Sequence, residues 1–446
     1  MTYILLEAFK RSNCPQPALS LKLHKNTPVK LIEATGAFYF TPGHSTPSLF
    51  NDDMLFALLR KKGIAEKDIQ DAAIAGCQEP LIMGKENGNT TNSWLNLAKI
   101  LELTLNDGKS LISGSKLGRA WSELGYNGIE EVLANLEEAF WKQTQNAVDE
   151  MVKAANACTS VLATVPAPFC SVLLGCLESG HDMRETKEPG VKYQGSGCLI
   201  HGLSVIADSL VAVKRLLESK AFSPQEMLEA LQKDFTGCDS LKEFLVSQPK
   251  YGNNLEESDA VAIRIASKIS KIIYAKKNPS GKPFQPDFST PSTHLLYGYW
   301  TGATPDGRNA RQMLGYGIDP RPGLATRGLQ ERILSARKLD FLDFTGGYAS
   351  HIGLTPSLFA QTKTPEEKAM FLKERVLAPL FNGNGPFYVY FNVDKADHLK
   401  KVLKNPKEYA PSGIYIMRIH GTFVNFLDLS PAIQQDIIQR LENTAA

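Results

Sequence analysis

Residues 75–80 read Ala-Gly-Cys-Gln-Glu-Pro and are the first segment whose residue types could do chemistry. A cysteine at the tip of a loop flanked by Gly and Pro can be held rigidly and presented to a cavity. If the loop is extended, Glu79 lies on the same side as Cys77 and could serve as a general base. On these residues alone, a structural cysteine beside a solvated glutamate stays an open alternative, because buried cysteines are common.

Two further segments are candidates for a functional role. Residues 415–423 form a strand-like run that is interrupted at Gly421 and resumes over 424–427. Gly inside a strand pattern usually marks a bulge, a tight turn or a close approach of backbone. The segment Gly302–Arg308 contains the turn-forming sequence Thr-Pro-Asp-Gly. His351 also lies near a Gly-rich loop, although a lone histidine is more often simply hydrogen-bonded.

Helical and strand-like segments alternate along the chain, which predicts an α/β fold that would position these loops. Helical spacing of apolar residues is found over 52–73 with a break at Gly63, and over 91–105, 129–160, 200–220, 224–233 and 256–277. Strand-like runs are Leu19–His24, Val191–Tyr193, Phe387–Val393 and Tyr415–Ile419. The stretches 76–92, 278–328 and 344–357 have neither period, and long irregular stretches are usually functional or specifically packed.

The composition excludes several classes of protein. The 446 residues carry a net charge of +2, with 43% hydrophobic and 22% charged residues, so disorder and a basic nucleic-acid-binding surface are not expected. The seven cysteines include no CxxC pair and no zinc-ligand spacing, so no metal site is expected. There is no signal-peptide pattern and no apolar run long enough to span a bilayer. We therefore expect a cytoplasmic protein with no membrane or nucleic-acid partner.

Taken together, these segments resemble the glycyl radical enzymes, the family of pyruvate formate-lyase and the radical diol dehydratases. Gly76-Cys77-Gln78-Glu79-Pro80 resembles the family's thiyl loop, and Arg418-Ile419-His420-Gly421 resembles its radical loop. Similar landmarks occur in the same order at 47–52, 251–253, 302–308, 338–340, 405–409, 428–430 and 434–440. The match extends over nearly the whole chain.

The resemblance implies a fold, roles for site residues and an activating partner. The chain would be the C-terminal half of the family's ten-stranded β/α barrel, in which the Cys loop and the Gly loop meet inside. Residues 1–400 would form the half-barrel with the thiyl loop around 75–92, and residues 401–446 would form the glycyl radical domain. Gly421 would store the radical, Cys77 would be the hydrogen-abstracting thiyl, and Glu79 the general base. No cofactor would be bound, because a radical S-adenosylmethionine activase, a separate partner, would install the radical on Gly421.

Glycine is the residue that suits a main-chain radical. Removal of its α-hydrogen leaves a planar centre that a β-carbon would crowd. The surroundings of Gly421 depart from the family pattern, because Thr422 stands where a tyrosine is usual and His420 where a small residue is common. Activation of Gly421 in these surroundings is therefore a prediction that experiment has to test.

The resemblance also bears on the substrate, which we expect to be a small molecule. Gln78 stands where pyruvate formate-lyase has a second cysteine, so acyl transfer from pyruvate is not expected. Thr91 stands where the diol dehydratases place an aspartate, which argues against glycerol or propanediol. Asn89, Thr91 and Asn92 follow the thiyl loop and are candidates for substrate binding, as is His351.

Members of the family are usually about twice as long as this chain. We expect a second polypeptide to supply the N-terminal half of the barrel, because half a barrel would expose strand edges and an apolar interior. The alternatives to a split enzyme are a fragment of a longer chain and a homodimer that completes the barrel itself. The leading hypothesis is the radical-bearing subunit of a two-chain, anaerobic glycyl radical lyase that breaks a C–O, C–N or similar bond. The alternatives are a radical decarboxylase of the arylacetate type and a non-catalytic scaffold or regulatory half.

Overall fold

The computed structural model describes residues 1–12, 14, 17–40, 43–44, 46–290, 292–383, 385–419 and 422–442. The strands are β1 Ser20–Leu23, β2 Ser48–Asn51, β3 Ala72–Ala75, β4 Glu79–Ile82, β5 Glu86–Asn87, β6 Ser93–Asn96, β7 Tyr193–Gln194, β8 Ser196–His201, β9 Phe284–Phe288, β10 Gly347–Tyr348, β11 His351–Leu354, β12 Tyr388–Val393, β13 Ile416–Ile419 and β14 Thr422–Asn425. The α/β class predicted from the sequence is confirmed.

The helices alternate with these strands along the chain. They are α1 Thr2–Ser12, α2 Val29–Tyr39, α3 Asp52–Lys61, α4 Glu66–Ile69, α5 Leu97–Leu105, α6 Trp121–Leu124, α7 Ile129–Ala134, α8 Leu136–Leu162, α9 Pro168–Leu173, α10 Cys176–Ser179, α11 Leu203–Ser219, α12 Pro224–Gln232, α13 Asp239–Ser247, α14 Glu256–Tyr274, α15 Thr293–Tyr299, α16 Leu329–Arg337, α17 Pro365–Leu372, α18 Ala378–Phe381, α19 Ala396–Lys404, α20 Pro406–Tyr409 and α21 Pro431–Glu442. None of the helices in the described part of the chain combines the length and apolarity needed to cross a membrane.

A parallel sheet with the order β10-β9-β8-β6 forms one side of the fold. Cys198 and Ile200 of β8, with Phe284 and Phe288 of β9, belong to the main hydrophobic core. Because side chains alternate between the faces of a strand, Leu199, His201, Gln285 and Asp287 lie on the opposite, inner face. This parallel sheet is therefore apolar toward its helices and polar on its inner face.

A mixed sheet with the order β1-β2-β12-β11 forms the other side. Leu49 of β2 and Val389 of β12 pack into a second core with α2 and α17. The alternate residues Tyr388, Tyr390 and Asn392 lie on the other face of β12, as does His351, which is the register partner of Tyr390 on β11. This sheet too has an apolar outer face and a polar or aromatic inner face.

The segment 347–354 joins the two sheets. Its first part, β10, pairs with β9, and after only two intervening residues β11 begins to pair with β12. The hydroxyl of Tyr348 donates to the carbonyl of Tyr388 and accepts from the Tyr388 N–H at 2.8 Å, which fastens the junction. Within the described residues, β1 and β6 are the end strands of the two sheets away from this junction, and each has one neighbouring strand.

Helices α5, α8, α11 and α14 cover the outer face of the parallel sheet and supply much of the main core. The expected start of α12 is confirmed: Ser223 accepts from the Glu226 N–H at 3.2 Å, and Glu226 accepts in return from the Ser223 N–H at 2.6 Å. Such a capping box satisfies two N–H groups that the first helical turn leaves without partners.

Several expectations about local structure were wrong. The stretches 76–92, 278–328 and 344–357, in which neither period was found, contain β4, β5, β9, β10, β11 and α15. Residues 200–201, which were expected to be helical, are the end of β8. Residues 93–96 were expected to be helical but form β6, because this segment pairs in parallel with β8. The strand expected at Val191–Tyr193 is limited to Tyr193–Gln194, and the long inner strand of this region is β8, which follows it. Buried parallel strands lack the alternation of polar and apolar residues that identifies a strand in a sequence.

The C-terminal part is built around the antiparallel hairpin of β13 and β14. Its own core contains Leu399 and Val402 of α19, Met417 of β13 and Ile438 of α21. The boundary expected at residue 401 falls inside α19 and stays a prediction.

Candidate active site

Cys77 lies at the turn of the hairpin formed by β3 and β4, in which Ala75 pairs with Glu79. Gly76 has a φ of +56°, in the left-handed region that favours glycine. A β-carbon at this position would lie 3.1 Å from Oε2 of Glu79. The tight turn and the inward-folded glutamate therefore both depend on Gly76.

The carboxylate of Glu79 folds back onto its own loop. Its Oε2 accepts hydrogen bonds from the backbone N–H of Cys77 at 2.9 Å and of Gln78 at 3.1 Å, and its Oε1 accepts from the Gln78 amide at 3.4 Å. Burial raises the pKa of Glu79, and the N–H groups of the loop oppose this by stabilising the charged form. A carboxylate with a raised pKa next to a thiol suits a general base.

The hairpin rests against the inner face of the parallel sheet at Gly347. The position that a β-carbon on Gly347 would occupy is 3.6 Å from the Glu79 Cα, 3.6 Å from the Gln78 carbonyl oxygen and 3.6 Å from Oδ1 of Asp287. Asp287 is the register partner of Gly347 on β9. The two carboxylates are therefore neighbours across this glycine.

Burial and the charge of Glu79 raise the pKa of Asp287 to about 8. Asp287 is fully buried, and its Oδ1 accepts from the Ser289 N–H at 2.7 Å and from the Ser289 hydroxyl. Sequence analysis did not single out Asp287, because its proximity to Glu79 arises only from the pairing of β9 with β10.

The three candidates that follow the thiyl loop lie in different surroundings. Asn89 lines a cavity of about 220 Å³, together with Gln194 and Asn278. Thr91 is exposed, and the side-chain amide of Asn92 donates to the hydroxyl of Thr159 on α8 at 3.2 Å. Their roles in substrate binding stay predictions.

The loop that carries these residues crosses the inner face of β8. A β-carbon on Gly197 would lie only 1.9 Å from the carbonyl oxygen of Thr90, and the Gly197 N–H donates to the Asn89 carbonyl at 2.9 Å. Glycine is required at 197 because the backbone of the loop occupies the space of a side chain.

Gly421 and His420 lie outside the described residues, but both strands that flank them are described. Ile419 pairs with Thr422 at the end of the hairpin. On β13, Arg418 is buried, and its carbonyl accepts from the Asn392 amide at 3.0 Å. The guanidinium of Arg418 lies 5.0 Å from the ring centre of Phe423 on β14. These contacts fix the base of the hairpin against β12.

His351 belongs to the surroundings of this hairpin. Its Nε2 is 3.2 Å from the amide nitrogen of Asn392, the residue that also binds the Arg418 backbone. Burial, with the positive charges of Arg440 and Arg332, holds the pKa of His351 well below its usual range, so the ring is neutral. Within the described residues, no hydrogen bond joins His351 to the loop of residues 89–92.

Tyr388 connects the two candidate loops, and sequence analysis did not identify it. Its pKa is raised, first by complete burial and also by the nearby Cys77 thiol, while the Arg418 charge and hydrogen bond oppose the rise. Cys77 and Arg418 therefore both lie within electrostatic range of one phenol. Since Arg418 precedes Gly421 by three residues, the described base of the β13–β14 hairpin lies on the same side of the fold as the thiol.

An α/β fold with a Cys-x-Glu hairpin on the inner face of its sheets agrees with the class that the sequence motifs indicate. A model of the pyruvate formate lyase-like family matches residues 1–298. The chain therefore belongs to this family, which is the family of the glycyl radical enzymes.

Individual relatives match over the whole of this chain but only over part of their own length. The chain is 27% identical to trans-4-hydroxy-L-proline dehydratase of Clostridioides difficile, with 100% of this chain and 54% of the relative covered. It is 27% identical to (2S)-3-sulfopropanediol dehydratase of Klebsiella oxytoca, with 99% and 53% covered. The glycerol-bound B12-independent glycerol dehydratase of Clostridium butyricum superposes with a TM-score of 0.87 at 29% identity, with 98% and 54% covered. The chain thus spans about half the length of the relatives it matches.

Proposed function

We propose that this chain is the radical-bearing part of a glycyl radical lyase that eliminates a leaving group from a small hydroxylated substrate. The observation that carries the proposal is the hairpin that holds Cys77 beside a buried Glu79, on the side of the fold where Arg418 anchors the strand leading to Gly421. Relatives whose names end in dehydratase support the same reaction class.

The proposed sequence of steps uses three residues of this chain. The radical on Gly421 takes the hydrogen atom of the Cys77 thiol, which restores the glycine and leaves a thiyl. The thiyl takes a hydrogen atom from the substrate carbon that bears the hydroxyl, and Glu79 accepts the hydroxyl proton. The neighbouring leaving group departs with its bonding electron pair, and the product radical takes a hydrogen atom back from Cys77.

We propose that a further polypeptide segment, supplied by a second chain, completes the barrel over this site. Gly76 is exposed and Cys77 is partly exposed in the described structure, whereas a thiyl must be kept from solvent and oxygen. The edges β1 and β6 are available for further strands. The other partners we propose are a radical S-adenosylmethionine activase and a small-molecule substrate, with activity in anaerobic cytoplasm.

The test begins with protein isolated anaerobically from its own source. Native mass and peptide mapping tell whether a second chain accompanies it, and a single chain of this length that turns over substrate would overturn the two-chain part of the proposal. After incubation with its activase, an electron paramagnetic resonance doublet is expected, and it should be absent in Gly421→Ala.

Turnover is then measured on a panel of hydroxylated compounds that includes trans-4-hydroxy-L-proline, glycerol and (2S)-3-sulfopropanediol. Cys77→Ser should keep the doublet but form no product, because serine cannot relay the hydrogen atom. Release of carbon dioxide from an arylacetate would instead favour the decarboxylase. Unchanged turnover by the partner in the presence of Cys77→Ser would favour a scaffold.

A further inference from the structure

Two buried acceptors without hydrogen-bond donors lie at the Cys77 hairpin and at the strand beside it. They are Oε1 of Gln78 and Oδ2 of Asp287, and neither has a partner within the described residues. Asp287 lies on the inner face of β9, next to Gly347, against which the hairpin rests. Buried acceptors without donors are costly, and a cluster of them beside a reactive thiol is a site that a donor-bearing ligand would complete.

The same place carries two carboxyl groups and no counter-ion. Glu79 is held by backbone N–H groups and an amide, and Asp287 by the N–H and hydroxyl of Ser289. In the part of the chain that the structure describes, no Lys or Arg side chain bonds to either carboxyl. This contrasts with the buried Asp306, which is paired with Arg321 at 3.0 Å. A positively charged group on a ligand would stabilise the ionised form of the two neighbouring carboxyls.

We propose that Asp287 contacts substrate and, opposite Glu79, selects a hydroxylated substrate that also carries a protonated amine, that is, an amino alcohol. An ammonium group offers three donors and no acceptor, so it can satisfy both unpartnered acceptors. Glu79 would receive the hydroxyl, and Asp287 the ammonium group. This inference rests on the proposed function and adds the substrate class to it.

The proposal accounts for the threonine at position 91. The family resemblance leads one to expect a carboxylate there for diol substrates, and the described structure leaves Thr91 exposed. Asp287 brings a second carboxyl to the hairpin from another strand, on the other side of Gly347. A carboxyl in a different place implies a different position for the substrate group that it binds.

Binding of an ammonium group would be linked to release of a proton. With the pKa of Asp287 raised to about 8 by burial and by Glu79, the empty site holds a proton near neutral pH. An ammonium substrate takes the place of that proton, whereas a neutral diol leaves it bound. Affinity for the amine should therefore rise as the pH rises toward 8, and affinity for the diol should not.

The test is calorimetric binding to the complete, unactivated protein, which needs no radical. The matched probes are 1-amino-2-propanol and 1,2-propanediol, which differ only in the amine. We expect the amine to bind about 10- to 100-fold more tightly, the ratio for one charge-assisted hydrogen bond. We also expect about one proton released per amine bound at pH 7, measured in two buffers of different ionisation enthalpy, and none with the diol.

Asp287→Asn should abolish both the preference and the proton release. Asp208→Asn is the matched control, because Asp208 is an equally buried carboxyl whose pKa burial raises to about 7, and it lies on α11. Equal affinity for the two probes, a preference that survives Asp287→Asn, or no binding of the amine would overturn the inference. If Asp287→Asn does not fold, the number of protons that the unmodified protein releases per amine bound tests the inference. Failure of radical formation with intact amine binding would contradict the proposed function alone.

Discussion

Removal of one hydroxyl, in Tyr348→Phe, should weaken the junction between the two sheets that hold the candidate loops. That hydroxyl donates to the Tyr388 carbonyl and accepts from the Tyr388 N–H at 2.8 Å, at a site fully shielded from water. Each buried backbone group that loses its partner costs about 1–3 kcal/mol. The two together predict that the free energy of unfolding falls by about 2–6 kcal/mol.

Tyr251→Phe is the matched control for this experiment. Tyr251 is 1% exposed, and within the described residues its hydroxyl has no hydrogen-bond partner. Its removal should change the free energy of unfolding by less than about 0.5 kcal/mol, or raise it slightly. Urea unfolding followed by tryptophan fluorescence measures the free energy of unfolding of both variants. The comparison holds if the slope of that free energy against urea concentration is the same as in the unmodified protein.

A loss in Tyr348→Phe no larger than in Tyr251→Phe would refute the reasoning. It would mean that water or another donor satisfies the Tyr388 backbone, and that Tyr348 does not fasten the sheets. A loss of the expected size should be accompanied by reduced turnover, because Tyr388 lies within electrostatic range of both Cys77 and Arg418.

Three further predictions concern the site itself. Gly197→Ala should destabilise the protein by about 1–3 kcal/mol in urea unfolding, because its β-carbon would lie 1.9 Å from the Thr90 carbonyl oxygen. Gly128→Ala is the control and should have little effect, since its β-carbon would have no contact closer than 3.4 Å. Glu79→Gln should lower product formation by about 100-fold or more without loss of the radical signal, since a general base is removed; undiminished turnover would contradict that role. Asp287 stays protonated in the folded protein up to about pH 8 but ionises near its usual pKa in the unfolded chain. The free energy of unfolding should therefore decline as the pH rises between these two pKa values, by at most about 1.4 kcal/mol per pH unit. Asp287→Asn should flatten that decline, and an unchanged slope would show that Asp287 does not cause it.

The sequence predicted the parts of the fold that are determined locally. The start of the helix at Pro224 and the Cys-x-Glu turn each depend on residues within a few positions of one another. The inner strands were missed for a physical reason. In β9, apolar and polar residues do alternate, but a proline lies in the middle of the strand, and a proline argues against a strand that pairs on both sides.

The parts of the site that were missed come from long-range pairing. Asp287 meets Glu79 only because β9 pairs with β10 and Gly347 leaves room for both carboxyls. Tyr388 lies near Cys77 only because β12 joins the junction at Tyr348. Neither contact leaves a local pattern in the sequence, whereas the loops around Cys77 and Gly421 carry recognisable motifs.

The most direct test of the central claim is exchange of the radical's own hydrogen with solvent. If the spin moves between Gly421 and the Cys77 thiol, the glycine α-hydrogen passes through a thiol that exchanges with water. The activated protein in deuterium oxide should then lose the doublet splitting, because deuterium couples more weakly to the unpaired electron, and Cys77→Ser should retain it. A doublet that persists equally in both proteins would contradict hydrogen transfer between these two residues.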